Sequence, residues 1–550
     1  MALRVALCFA NSPAVARSNL GFQRLIQLFA HIGQRENIET EQRFAFGEKK
    51  KQRPLYQYDA LFFSVPFEGD DVNLVKMLFA NDLEPLAARR AWGPLIIAGG
   101  MAVTLNPEPL AEIIDIAAIG DAEVLLPDII DRLFPLLRSG ANLPQLLEAA
   151  QEIDGLYLPA RYRFHFDDDG GISGIEDLWT HEAPAPIKRQ WVEQLQRDAQ
   201  PVISNEEIFG GAAVIEASRG CLWGCRFCAA GYVQRPYRER DLEQLWQASQ
   251  AALALKPRVG LIGADIGDLG CLHPLVERIH QAGGNMTPSA LRATAVDDKL
   301  ARALAVSGKK TATIAAECGT DRLRDIINKQ MHNDDILRAV DRLADAGIES
   351  LRMYFMIGFP MEQDADIDGI VELSLACRDR LIAGSRQHGR VGKVTLSVNP
   401  FIPKPGTPFQ WEPFAALPEL KRKVKRLRRA VQGQDNLEIK IESVQQAWEQ
   451  SILARADRRL GPLMVETLRG KKGAAAALLR DALRRGPTLN TKPLQGFALD
   501  DILPWQLVEH GVGSAFLRRE RQRALAHKTT PMCTLERCRA CAIDCGGRKT

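Results

Sequence analysis

The sequence predicts an α/β chain: a doubly wound, Rossmann-like domain first, a partial (β/α)6 barrel after it, and a mainly helical C-terminal region. Three observations carry this. Residues 1–140 alternate short apolar runs with helical patterns. Residues 206–412 repeat strand and then helix about six times. Beyond residue 412 strand patterns give way to helical periodicity rich in Lys and Arg. Alternating strands and helices place a parallel sheet between helical layers, and strands buried on both faces read as continuous apolar runs.

In the first domain, residues 1–140, the strands are LRVALCFA (3–10), ALFFSVPF (60–67), PLIIAGG (94–100) and IAAIGD (116–121). FQRLIQLFAHIG and VNLVKMLFAN carry helical spacing between them. The turns Ser64-Val65-Pro66 and Gly99-Gly100-Met101 line the carboxyl edge, where such sheets bind ligands. Residues 141–205 form a hairpin and connector: two β-rich runs flank the DDDGG turn (167–171), and APAPIKRQWVEQL leads on. His165 and His181 lie here and read as surface or core residues.

The barrel strands are 212–218, 260–265, 287–293, 311–317, 351–360 and 393–403. Active sites of such barrels gather at the carboxyl ends of the strands. Residues 413–500 form a basic helical region, with Lys421, Arg422, Lys423, Lys425, Arg426, Arg428 and Arg429 in one helix. Its buried stripe is Leu420, Val424, Leu427 and Val431. Such a surface reads either as a solvated helix face or as a site for RNA. Residues 501–550 place Trp505, Glu509 and Phe516 before a short basic helix and a terminal cysteine group.

The totals bound the class. The 550 residues are 46% hydrophobic and 25% charged, with a net charge of +3, so overall charge names no partner. No secretory h-region and no apolar run of membrane-spanning length is visible, which predicts a cytoplasmic protein with no membrane partner. Seven of the eleven cysteines fall in two tight groups, a pattern for metal rather than disulfides. Cys271, Cys318 and Cys377 stand alone and read as packing residues.

The first group, Cys221, Cys225 and Cys228, lies on a loop just past the first barrel strand. Three thiolates at C-x3-C-x2-C spacing can hold three irons of a [4Fe–4S] cluster and leave the fourth open to a ligand. Zinc ordinarily takes four ligands, and this loop offers three. The second group, Cys533, Cys538, Cys541 and Cys545, puts four thiols within thirteen residues. It suits either zinc or a second iron–sulfur cluster.

RGCLWGCRFC (219–228) resembles the signature of the radical SAM (S-adenosylmethionine) family, with Phe227 at the aromatic position before the third cysteine. The resemblance implies that the open iron binds the amino and carboxylate groups of SAM. It also implies a reductant such as flavodoxin or ferredoxin. Further motifs match by strand position. GADIGD (263–268), with Gly263 and Asp265, is similar to the segment that meets the methionine amino group. Ser289 and Arg292 fall on the third strand, Glu317 ends the fourth, and Gly358 lies in a glycine motif expected near adenine.

IIAGGMAVTLNPEPLAEIIDIAAIGDAE (96–123) is similar to the cobalamin-binding-like domain of some members of that family. The loop after the first strand, NSPAVARSNLGFQRL, holds no histidine, so a protein imidazole on cobalt is not expected. The domain then either binds cobalamin without one or binds nothing. The resemblance implies three outcomes: SAM cleavage coupled to cobalamin-dependent methylation of an unactivated carbon, RNA modification or sulfur insertion without cobalamin, or a non-catalytic iron–sulfur sensor. The substrate is not written in any motif.

Overall fold

The computed structural model describes residues 2–47, 52–195, 201–203, 211–288, 290–386, 389, 391–471, 475–485, 491–534, 541 and 543. Ser289, Cys538 and Cys545 lie outside the described residues. The chain divides into two compact units, Met1–Glu193 with Glu449–Gly511, and Gln194–Trp448 with Val512–Thr550.

The first unit is built on β1 (Leu3–Phe9), β2 (Ile38–Phe44), β3 (Ala60–Ser64), β4 (Leu95–Gly99), β5 (Ile116–Ala118) and β6 (Leu156–Tyr157). Their order is β2-β1-β3-β4-β5-β6, with β1 to β5 parallel and β6 antiparallel to β5. The four strands read from apolar runs are β1, β3, β4 and β5. One face of the sheet presents Val5, Leu7, Phe62 and Ile97 to Phe22, Phe29, Ile129 and Leu133 of the helices Leu20–Glu36 and Ala122–Arg138. The hairpin of β7 (Tyr162–Phe166) and β8 (Ile172–Asp177) forms around the acidic turn as the sequence predicts. His165 and His181 are exposed on it.

The linear division at residues 413–500 and 501–550 does not describe this unit, because Glu449–Gly511 folds into it. Arg458 explains the return. It is buried, it pairs with Glu108 at 2.8 Å, it donates to the Tyr157 hydroxyl at 2.8 Å, and it lies over the Phe164 ring at 4.2 Å. Asn106 adds bonds to the carbonyls of Ala454 and Ala456 at 3.2 and 2.9 Å. A buried cation needs a buried anion and satisfied donors, and Glu108, the Tyr157 hydroxyl and the Tyr162 carbonyl of the first unit supply them. β9 (Ile187–Lys188) pairs in parallel with the last strand, β20 (Val508–Glu509).

In the second unit β10 (Val202–Ile203) runs antiparallel to β11 (Ala213–Glu216). β12 (Ser218–Arg219) and β13 (Arg238–Glu239) form a short ribbon. β11, β14 (Arg258–Ile262) and β15 (Asn285–Pro288) are parallel. A parallel bridge, Leu291 to Ile314, leads from them to β16 (Thr311–Glu317). β17 (Ser350–Ile357), β18 (Lys393–Pro400) and β19 (Leu437–Ile441) follow in parallel. The six expected barrel strands are all present, as β11 and β14 to β18. β19 is a seventh parallel strand, inside a stretch read as helical. Helices Leu242–Leu255, Leu272–Gln281, Asp298–Val306, Asn333–Asp345 and Asp364–Arg386 connect them. Among the described residues no helix is long and apolar enough to cross a membrane.

Candidate active site at the cysteine loop

The loop that carries Cys221, Cys225 and Cys228 leaves the sheet after β11 and is closed at its base by the β12–β13 ribbon, Ser218 opposite Glu239. Gly220 makes the closure. It has φ +82°, and a Cβ there would come within 2.5 Å of the Gln234 carbonyl oxygen. Inside the loop the Cys228 amide donates to the Cys225 carbonyl at 3.0 Å, and the Tyr232 hydroxyl donates to the Gly224 carbonyl at 2.9 Å. The loop is therefore held by its own backbone before any metal is considered.

Burial pushes the Cys221 thiol up to about 12 and raises the Cys228 thiol as well. These thiols keep their protons until a metal displaces them. Among the described residues no three metal-ligating side chains are grouped to hold a single ion. The loop supplies three thiols, which suits three irons of a cluster with the fourth left open, whereas a lone zinc ordinarily takes four ligands.

Around the loop stands a polar wall drawn from the ends of β14, β15 and β16 and from the turn after the short helix Asp321–Ile326. Lys329 is buried, and its ammonium lies 3.2 Å from Glu317. Burial acts to lower that ammonium, but Glu317 and the Cys225 thiol outweigh it and hold it raised. Glu317 sits at φ +64°, where a bulge in β16 turns the chain. Arg292 stacks on the Trp223 indole, its guanidinium carbon 3.6 Å from the ring centroid. It also donates to the carbonyls of Lys329 and Gln330. Its Nε is buried without a hydrogen-bond partner among the described residues. The Trp223 indole N–H donates to Asp268. Asp265 is 8% exposed, and burial, then the Asp268 carboxylate, pushes it up to about 6. Cations, an unpartnered guanidinium N–H and carboxyl groups suit a ligand with both a carboxylate and an amine.

Other expected residues find different neighbours. Phe227 faces Phe359, ring centroids 5.7 Å apart, in an apolar cluster with Phe401, Phe409 and the buried Cys318. Cys377 is likewise buried, and Cys271 is half-buried. Gly263 is glycine because a Cβ would meet Ser218 Oγ at 2.4 Å. Gly358 has φ +92°, a Cβ there would meet Leu420 at 2.9 Å, and its amide donates to Glu362 at 2.8 Å. Packing and backbone conformation account for this glycine.

The segment after the basic helix Ser514–Leu525 is threaded behind the cysteine loop. Asn328 is the weld. Its side-chain N–H groups reach the carbonyls of Gly224 and Thr530 at 2.9 and 3.1 Å, and its oxygen accepts the Thr530 amide at 2.8 Å. The Cys533 amide donates to the Leu222 carbonyl at 2.9 Å. Arg226, between two loop residues and fully buried, donates to the carbonyls of Ile326 and Lys528 at 2.7 and 2.6 Å and pairs with Glu520 at 3.2 Å. Arg235 hydrogen-bonds the Cys541 thiol and has the Cys533 thiol as a further charge neighbour. Two of the four tail thiols thus share one buried cation beside the loop.

Sequence reasoning did not single out Trp223, Arg226, Asp268, Asn328 or Lys329. Asn328 and Lys329 end the stretch AAECGTDRLRDIINK (315–329), which begins at the fourth barrel strand. The signal was an Asn-Lys pair at the end of a short helix, with Asn328 at φ +55°.

This site and fold define the class. A family profile described as radical SAM superfamily matches residues 215–374, and one described as radical SAM proteins, N-terminal, matches residues 27–159. The chain belongs to the radical SAM superfamily. It is similar to the uncharacterized protein MJ0966 of Methanocaldococcus jannaschii, 29% identical over 437 residues, covering 78% of this chain and 84% of that one. It is also similar to the ribosomal protein uS12 methylthiotransferase RimO of Acetivibrio thermocellus, 24% identical over 220 residues, 36% of this chain and 48% of the relative. Among solved structures, the cobalamin-dependent S-adenosylmethionine radical enzyme OxsB with aqua-cobalamin and S-adenosylmethionine bound aligns over 96% of this chain and 81% of its own, at 14% identity and a TM-score of 0.47.

Proposed function

We propose that this chain is an enzyme that holds a [4Fe–4S] cluster on Cys221, Cys225 and Cys228, binds SAM at the open iron, and functionalises an unactivated carbon. The observation that carries the reading is the pairing of that thiol loop with the wall of Arg292, Lys329, Asp265 and Glu317. When bound, the reduced cluster supplies the electron that splits SAM and starts radical chemistry. The residues of the chain bind and orient. Arg292 offers its positive charge to the SAM carboxylate, and Asp265 offers an acceptor to its amine. Phe227 and Phe359 keep water from the loop.

Methylation through cobalamin is favoured by one specific feature. The order β2-β1-β3-β4-β5 places a switch point between β1 and β3, where doubly wound sheets of this order bind their ligand. Asn11, just beyond β1, donates across that crevice to Asp70 beyond β3 at 2.9 Å. Gly100, with φ +113°, lets the backbone pass close to Val65 at its rim. Residues 10–19 after β1 and 65–70 after β3 hold no histidine or cysteine, and Cys8 within β1 is buried, so cobalamin at this edge would take no protein ligand from these segments. A second metal on the tail cysteines belongs to the same reading.

The test is anaerobic. Reconstituted protein is reduced with dithionite, given SAM, and assayed for 5′-deoxyadenosine with and without cobalamin. Deoxyadenosine that is lost in Cys221→Ala supports the reading. None under any reductant overturns it in favour of a sensor. A bound-cobalamin absorption spectrum supports methylation. Iron and zinc counts on Cys533→Ser/Cys541→Ser identify the tail metal.

A further inference from the structure

The basic helix Leu417–Val431 is not uniformly charged toward solvent, because the fold sorts its seven cations into two sets. Arg422 pairs with Asp364 and Glu419 at 2.6 and 2.7 Å, and Arg426 pairs with Asp368 at 2.6 Å. Lys423 is buried against Glu362 at 2.6 Å. That Glu362 oxygen also accepts the Gly358 amide at 2.8 Å. These three cations are neutralised and fix the helix to the loop after β17, through Glu362, and to the start of the helix Asp364–Arg386.

The other four, Lys421, Lys425, Arg428 and Arg429, are exposed and have no acidic partner among the described residues. At about 100° per residue they fall within an arc of about 100°, and at 1.5 Å rise they span about 12 Å. With Val424, Gln432 and Val444 they line an open groove of about 320 Å³.

We infer that this groove docks the phosphate backbone of RNA. Four unneutralised cations in one stripe call for a polyanion. A membrane would need an apolar helix face, and the apolar face here, Leu420, Leu427 and Val431, is buried inside the protein. A protein partner would need an exposed aromatic or large aliphatic anchor, and none of the large exposed apolar residues lies on this helix. The groove's neutral hydrogen-bonding side chain is Gln432, an amide that both donates and accepts. That matches a ribose 2′-hydroxyl, the group that distinguishes RNA from DNA. The groove lies on the side of the helix turned away from Lys423 and its Glu362 partner, so the neutralised cations hold the helix in place while the free stripe faces outward.

Fluorescence anisotropy on the full-length reconstituted protein tests this, with a labelled mixed-sequence RNA of about 30 nucleotides as the probe. Four phosphate contacts to a single strand give a slope of log affinity against log salt of about −3, so binding weakens about 60-fold between about 50 and 200 mM salt. K421Q/K425Q/R428Q/R429Q is expected to abolish most of that slope, and K425Q/R428Q about half. A control that neutralises Lys256, Lys299, Arg302 and Lys310, on other elements, is expected to leave it unchanged. Equal affinity and slope in wild type and quadruple variant overturn the inference. So does a preference of the wild type for duplex DNA, for anionic vesicles or for a polyglutamate peptide over RNA. Because binding is read without turnover, the result stands whether or not deoxyadenosine forms.

Discussion

Arg226 is predicted to hold the C-terminal tail on the cysteine loop. Its side chain is fully buried, and its donors reach the Asp325, Ile326 and Lys528 carbonyls and the Glu520 carboxylate. Arg226→Met keeps much of the apolar stem and removes the charge. Glu520 then retains the Thr530 hydroxyl, at 2.8 Å from each of its oxygens, and the half-exposed Arg523 at 3.9 Å. Leaving one partner of a buried pair alone costs about 3–5 kcal/mol. At about 1.4 kcal/mol per factor of ten, the tail opens about two to three and a half orders of magnitude more often. Hydrogen exchange reads this at two amides, Thr530, bonded to the Asn328 oxygen, and Cys533, bonded to the Leu222 carbonyl. Both should lose protection by that factor, in apo and in reconstituted protein alike. Arg226→Met/Glu520→Gln removes both charges and should recover much of the loss, since the dominant cost is the orphaned carboxylate. Unchanged protection in the single variant refutes the reasoning, as does a double variant no better than the single.

Two further predictions concern buried charge. Lys329→Met, which removes the cation beside Cys225, should move the midpoint potential of the reconstituted cluster more negative, with Lys329→Arg restoring it; an unchanged midpoint in a potentiometric EPR titration would show that Lys329 is only structural. Asp70 is pushed up from 3.8 to about 6, mainly by burial. Between those values the folded state holds a proton the unfolded state has lost, so stability is full below the lower value and falls as pH rises through the upper one. Asp70→Asn should therefore raise the thermal midpoint at about pH 8 and change little at about pH 4. An equal effect at both would sink this account.

What the sequence displayed was what local pattern can display. The barrel strands are apolar runs or strict alternations because one or both faces are buried, as in Thr311–Glu317, whose residues alternate toward the interior. β2 and β19 escaped notice for the opposite reason. Each is a polar edge strand, Ile-Glu-Thr-Glu-Gln-Arg-Phe and Leu-Glu-Ile-Lys-Ile, with most side chains in or near solvent. Their strand state comes from backbone pairing with β1 and β18, which no residue pattern announces. The thiol loop was legible because its ligands are sequence neighbours. The wall around it was only partly so. Arg292 and Asp265 stand at strand ends, whereas Lys329 and Asn328 acquire their roles from turns with left-handed backbone.

The tail was least legible, since its meaning depends on contacts across roughly 200 to 300 positions, such as Asn328 with Thr530 and Arg226 with Glu520. Those contacts also decide how its metal must be studied. Deleting the tail would remove Glu520 and the Lys528 and Thr530 carbonyls together, and so strip Arg226 and Asn328 of acceptors next to Cys225 and Gly224. Buried donors without partners destabilise their surroundings. A truncated chain that lost its first cluster would therefore say nothing about whether the second metal serves the first. Replacing the Cys533 and Cys541 sulfurs with oxygen leaves every one of those bonds in place, because the bonds run through backbone and through Glu520. If the first cluster then assembles fully but changes its potential, the two metal centres are coupled electrically. If it fails to assemble, the tail metal is part of the scaffold that shapes the loop.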